Sequence, residues 1–204
     1  MLGIKRLNLA VPVCCVLAAA CSKPADVDCL SGLAEERRAR DVEYLSSDYP
    51  LTDEQKPGFT GLEYFPGDAT YCMPADFVRV GESETFDMPT FNESSIPFRH
   101  YGTFRFDLDG RSESLEAYQR MDLPEDKRQW VLVPFRDGTN GTETYGGGRY
   151  LEIPLPIDPS TVIDFNRASN PWCAYDAKYV CPVPPQQNWL PARVPAGELA
   201  FKVK

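Results

Sequence analysis

The stretch RHYGTFRFDLDGRSESLEAY, residues Arg99–Tyr118, decides the fold. Two alternating runs, Arg99–Leu108 and Ser112–Tyr118, flank Asp109-Gly110, a dipeptide that favours a tight hairpin turn. Successive strand side chains point to opposite faces, so Tyr101, Thr103, Arg105 and Asp107 share one side. His100, Gly102, Phe104, Phe106 and Leu108 share the other, and its apolar character makes it the core side.

Outward from this hairpin the chain reads almost entirely as strands. Tyr71–Val80 is β-like with an interruption at Pro74, and Thr144–Ile153, Thr161–Arg167 and Glu198–Val203 are further strands. Trp130–Phe135 is apolar on both faces, which predicts a strand covered on both sides. Asp28–Leu45 is the one helical segment, with Leu30, Leu33 and Ala34 on one face, Asp28 as cap and Glu36–Arg40 as an i,i+4 pair. Pro171–Pro195 reads as a long Pro-rich loop. Nineteen prolines in 204 residues, nearly twice the usual ~5%, disfavour a helical protein. The expected fold is mainly β: an antiparallel β-sandwich or barrel-like sheet with one N-terminal helix and a long Pro-rich loop.

The N-terminus reads as an address. Lys5 and Arg6 precede an uncharged apolar run, Leu9–Ala20, too short to span a bilayer as a helix. Leu17-Ala18-Ala19-Ala20-Cys21 resembles a lipobox, which makes residues 1–20 a lipoprotein signal peptide and Cys21 the acylated first residue. An ordinary secretory signal is the alternative. Residues 21–27 form a tether, and 28–204 a single β-rich domain. Ser22 after Cys21 points to the periplasmic face of the outer membrane. The implied partner is the membrane, through the N-terminal lipid.

Loss of Lys5 and Arg6 with the leader takes the net charge from -9 to -11, which argues against nucleic acid as a partner. Cys14 and Cys15 leave with the leader, and Cys29, Cys72, Cys173 and Cys181 remain. In an oxidising compartment their even number predicts disulfides. Proximity in sequence pairs Cys173 with Cys181 and leaves Cys29 with Cys72, free thiols being the alternative. No C-x-x-C occurs and His100 is the sole histidine, so neither a metal nor a cofactor is implied.

Polar residues gather in two places. Arg136, Asp137, Asn140, Tyr145 and Arg149 follow the most apolar strand, and Asp164, Asn166 and Arg167 end another. Asp164, placed between Ile163 and Phe165, needs a partner, because an unpaired buried carboxylate is costly. Arg149 and Arg136 are the expected ones, which makes the whole set one candidate pocket.

Two blocks, FRDGTNGTETYGGGRYL (Phe135–Leu151) and VIDFNRASNPWCAYDAKYVCPVPPQQNWL (Val162–Leu190), resemble the hallmark of the bacterial domain-of-unknown-function family 1684. Phe59–Phe65 and Ala196-Gly197-Glu198 are also similar, so the resemblance runs from about Glu43 to Lys204. Ser169 stands where that family commonly has Tyr. The resemblance implies a domain and no activity. Three readings follow for the polar set: a structural or interaction network, a pocket for a small anionic or carbohydrate-like ligand, or a carboxylate-based hydrolase using Asp137 and Asp164 with Glu143. Tyr145, Tyr150, Trp172, Tyr175 and Tyr179 could give a sugar-stacking platform or simply pack.

Overall fold

A computed structural model of the chain describes residues 28–46 and 50–202. The leader, Cys21 and the tether lie outside the described residues. Seven antiparallel strands form a curled half-barrel sheet: β1 (Cys72–Arg79), β2 (Thr85–Pro89), β3 (Ser95–Leu108), β4 (Arg111–Arg120), β5 (Trp130–Phe135), β6 (Arg149–Pro154) and β7 (Ser160–Asp164). Their order is β6-β5-β4-β3-β1-β7, with β2 paired to the first part of β3. Among the described residues one α-helix, α1 (Leu33–Ser46), completes the mainly β architecture that the sequence predicts.

The hairpin forms where Asp109-Gly110 places it. Leu108 pairs with Arg111, and both turn residues take positive φ, as a type I′ turn requires. Before the turn β3 departs from simple alternation, because its register to β4 slips between His100 and Gly102. An extra residue at a bulge swaps the faces. Phe104, Phe106 and Leu108 therefore pack with Leu115, Val131 and Val133, while Ile96 and Phe98 pack with Tyr118 and Leu132. His100 is not on the core side with Phe104. It sits at the bulge, half-buried, its ring 5.7 Å from that of Tyr118 and its Nε2 2.9 Å from the Gly102 carbonyl.

Both faces of the sheet are covered. On β5, Val131, Val133 and Phe135 belong to the larger core, and Leu132 between them belongs to the smaller one with Tyr150 and Cys181. The apolar-on-both-sides character of Trp130–Phe135 follows from this. Residues 169–182 supply the second cover, and α1 packs through Leu33 and Tyr44.

Several elements are shorter than expected. The helix begins at Leu33, because the Asp28 carboxylate caps a separate turn by accepting from the amides of Leu30 and Ser31. Thr144–Gly148 is turn, and β6 starts only at Arg149. β7 ends at Asp164, whose side chain accepts the Asn166 amide and starts a 3-10 turn over Phe165–Arg167. Asn166 is consequently buried rather than sharing a strand face with Asp164. Residues 198–202 form no strand. They contribute one bridge, Tyr64 to Glu198, because the Glu198 side chain turns inward.

The expected Cys29–Cys72 bond is present and ties the turn ahead of α1 to the start of β1. The expected Cys173–Cys181 bond is not, and both residues are free thiols. The Cys181 sulfur instead accepts the backbone N–H of Cys173 at 3.1 Å, and the Cys173 sulfur lies 3.8 Å from the Tyr145 hydroxyl.

Candidate functional site

The polar residues singled out in the sequence do not form one pocket. Arg149 is completely buried and pairs with Asp137, Nη2 to Oδ2 2.6 Å. It also donates to the carbonyls of Ala196 and Val194, and its guanidinium lies 5.3 Å from the Phe135 ring centroid. Asp137 accepts in addition from the Thr139 amide at 2.6 Å. Asn140 braces the same turn, accepting the Asp137 amide at 2.7 Å and donating to Thr144 Oγ1 at 2.8 Å. This is a sealed knot that joins the Phe135–Arg149 turn to the Val194–Ala196 segment. Burial lowers the Arg149 pKa, and the Asp137 carboxylate offsets part of that.

Asp164 finds a different arginine. It pairs with Arg167, which reaches on to grip Glu36 of α1 through Nε and Nη2, both at 2.8 Å. The hydrogen bonds from Arg167 hold Glu36 below the ordinary carboxylate range and raise Arg167 in turn. Asn166 exchanges two hydrogen bonds with the backbone of Asp68, 2.9 and 2.8 Å. These groups clamp helix to sheet beside the Cys29–Cys72 bond. Arg136 lies elsewhere, 4.9 Å above the Trp189 ring and bonded to the Gly146 carbonyl at 2.9 Å. Glu143 is taken by Arg193. Asp137, Asp164 and Glu143 thus each pair with a different arginine.

The open site is on the face of β4–β6 that carries the smaller core. There a cleft of about 370 Å³ lies between α1, the sheet and residues 169–182. Such a volume suits a small ligand. Six aromatic side chains line it: Tyr44, Phe98, Trp130, Tyr150, Trp172 and Tyr179. Trp172 and Tyr179 stand edge to face at 5.2 Å, and Trp172 remains 40% exposed, an accessible ring at the cleft wall. Tyr150 is anchored by donating to the Pro182 carbonyl. Of the expected platform, Tyr175 packs in a separate apolar cluster with Tyr44 and Leu51, and Tyr145 stands against Phe91 and Cys173.

The charges of the cleft are unevenly engaged. Arg120 is held bidentately by Asp122, at 2.6 and 2.8 Å. Arg40 and Glu152 form no hydrogen bond or ion pair to a described residue, although their fields reach each other. Burial by surrounding protein pushes Glu152 above the ordinary carboxylate range, though its side chain still meets solvent. Burial also opposes the charge on Arg40, but nearby Tyr64, Tyr44 and Glu198 more than compensate. Asn170 lines the cleft with its Oδ1 unpartnered, while its amides donate to Glu198 at 3.1 and 2.9 Å. Glu198 is fully enclosed, accepts the Tyr175 hydroxyl as well, and is pushed up to about 6 by burial.

The sequence offered Tyr150, Trp172 and Tyr179 of this site as a stacking platform but missed Tyr44, Phe98, Trp130, Arg40 and Glu152, because the walls come from segments far apart in the chain. Its aromatics look like core residues when met one at a time. The available signal was the doubly apolar β5, which requires a second covering layer and hence a second seam.

A curled antiparallel half-barrel sheet with one helix defines a mainly β domain. The chain belongs to the family described as "Protein of unknown function (DUF1684)", which it matches over residues 57–199. The match includes the sheet and the 169–182 cover, while Arg40, Glu43 and Tyr44 of α1 precede it. The solution NMR structure of the uncharacterized protein from gene locus rrnAC0354 of Haloarcula marismortui is similar, with 35% identity and a TM-score of 0.65. The likeness covers 83% of this chain and 92% of that one. No curated protein gives a significant match.

Proposed function

We propose that this domain binds a small carbohydrate-like ligand in the aromatic cleft, and that it does so tethered to the cell envelope by a lipid on Cys21. The observation that carries the binding reading is the composition of the cleft: six aromatic side chains beside a guanidinium, Arg40, and a carboxyl, Glu152, that pair with no described residue. Sugars offer flat C–H faces that stack on rings and hydroxyl edges that both donate and accept. Arg40 supplies donors and Glu152 an acceptor, with Ser169 and Asn170 adding shorter polar groups. Opposite charges in one cleft favour a neutral polyol over a strongly anionic ligand. The Arg149 knot, sealed from solvent with both Nη atoms already engaged, supports the structural reading for that part of the chain.

The anchoring reading rests on the sequence Leu17–Cys21. Among the described residues no helix is long and apolar enough to cross a membrane. Fractionation tests it: wild type is expected with membranes and Cys21→Ser in the soluble fraction, and membrane retention of the variant would refute it.

Calorimetric titration with a panel of neutral mono- and disaccharides tests binding. At least one is expected to bind, and Trp172→Ala is expected to weaken it about tenfold, roughly 1.4 kcal/mol. Unchanged affinity in a folded Trp172→Ala protein would refute the stacking role.

A further inference from the structure

The two free cysteines have an arrangement that packing alone does not require. Cys173 lies in the 3-10 turn Trp172–Ala174 and is half-buried. Cys181 is buried in the smaller core at the cleft wall. The Cys173 amide donates to the Cys181 sulfur at 3.1 Å, and the Tyr145 hydroxyl stands 3.8 Å from the Cys173 sulfur. Cys173 is therefore the more accessible of two adjacent cysteines, with the Tyr145 hydroxyl beside its sulfur, and Cys181 is enclosed. The same molecule carries Cys29–Cys72 as a closed bond, so the two pairs differ within one chain.

We propose that Cys173 and Cys181 form a thiol–disulfide exchange pair acting on small-molecule disulfides, with Cys173 attacking and Cys181 resolving. The Cys173 thiolate attacks one sulfur of an external disulfide R–S–S–R, forming Cys173–S–S–R and expelling RS⁻. Cys181 then attacks the Cys173 sulfur, closing the intramolecular bond and expelling the second RS⁻. The two thiol protons end on two R–SH molecules. The protein pair is oxidised by two electrons and the external disulfide reduced by two.

The electrostatics agree with this division of labour. The hydrogen bond from Cys181 lowers Cys173, with Tyr145 helping, whereas Cys181 is raised because ionising it would forfeit that bond and because it is buried. Closure would also fix the segment between the two sulfurs, which carries Tyr179 of the cleft wall.

The test uses the full chain, incubated with glutathione and its disulfide, quenched in acid, alkylated and mapped by peptide mass spectrometry. In the wild type a Cys173–Cys181 bond is expected to form with the disulfide and to open with excess glutathione, while Cys29–Cys72 stays closed. Cys181→Ser is expected to accumulate a glutathione adduct on Cys173. Cys173→Ser is expected to gain the adduct on Cys181 at least about tenfold more slowly, and Tyr145→Phe to slow the wild-type reaction. A Cys173–Cys181 bond that excess glutathione cannot open would mark a structural cross-link and overturn the proposal. So would two thiols that stay unmodified throughout, or adducts formed equally fast on either cysteine. The wild-type arm decides the matter even if a serine variant fails to fold.

Discussion

Replacing Arg149 by Ala would strip the central knot of its cation. The guanidinium is fully buried, bonded to Asp137 at 2.6 Å, and donates to the carbonyls of Val194 and Ala196. Its removal leaves the Asp137 carboxylate enclosed without its counter-charge, although the Thr139 amide still reaches it. Breaking a buried ion pair from one side costs about 3–5 kcal/mol. For a domain of this size that corresponds to a fall in Tm of roughly 6–20 °C. Urea unfolding followed by tryptophan fluorescence measures the cost. A double-mutant cycle with Arg149→Met and Asp137→Asn separates the ion pair from mere loss of volume. The two single changes are expected to couple by at least about 2 kcal/mol, since the double variant leaves no unpaired charge. A cost below about 1 kcal/mol for Arg149→Ala, or strict additivity in the cycle, would refute a structural role for the knot.

Three further outcomes follow from the same structure. Glu198 binds its proton more tightly when folded, about 6 against 4.5 for the free side chain, so stability should rise as pH falls from 7 toward 4.5. At 1.36 kcal/mol per unit the rise from this group is about 2 kcal/mol; it should vanish in Glu198→Gln, and a wild type equally stable across that range would contradict it. Opening Cys29–Cys72 by Cys29→Ser should cost about 4 kcal/mol in urea midpoint experiments, because the bond closes a loop of 43 residues' separation; a loss below about 1 kcal/mol would show that the loop is held by other contacts. Gly197→Ala should destabilise by about 1–3 kcal/mol, since φ is +79° and the new Cβ would lie 2.6 Å from the Ala168 carbonyl oxygen; a neutral change would refute that geometry.

The hairpin was the most legible part of the sequence, because turn chemistry and alternation act over a few residues and agree there. Gly102, Phe104, Phe106 and Leu108 fall on the core side as alternation requires, and the misplacement of His100 traces to a one-residue bulge with no composition signal of its own. The partner of Asp164 was not legible. Residue type said that a cation must meet it, but Arg167 was as eligible as Arg149, and only the 3-10 turn at Phe165–Arg167 decides between them. The expected strand at Glu198–Val203 is absent over its described residues, 198–202, for a related reason: Glu198 is drawn inward by Asn170 and Tyr175, which cancels the alternating pattern around it. The cleft was the least legible feature, since Tyr44, Trp130, Glu152 and Trp172 meet only after the sheet has curled and the Pro-rich segment has folded across it.

The three tryptophans provide the most direct test of the cleft as a binding site. Trp130 and Trp172 line it, whereas Trp189 lies under Arg136 with its Nε1–H bonded to the Pro184 carbonyl at 3.1 Å. Indole Nε1–H resonances can be followed by NMR during titration with the neutral saccharides. The Trp130 and Trp172 signals should shift together and saturate with one Kd while Trp189 stays in place. Movement of Trp189 alone, or no movement of any indole across the panel, would contradict the assignment of the cleft as the binding site.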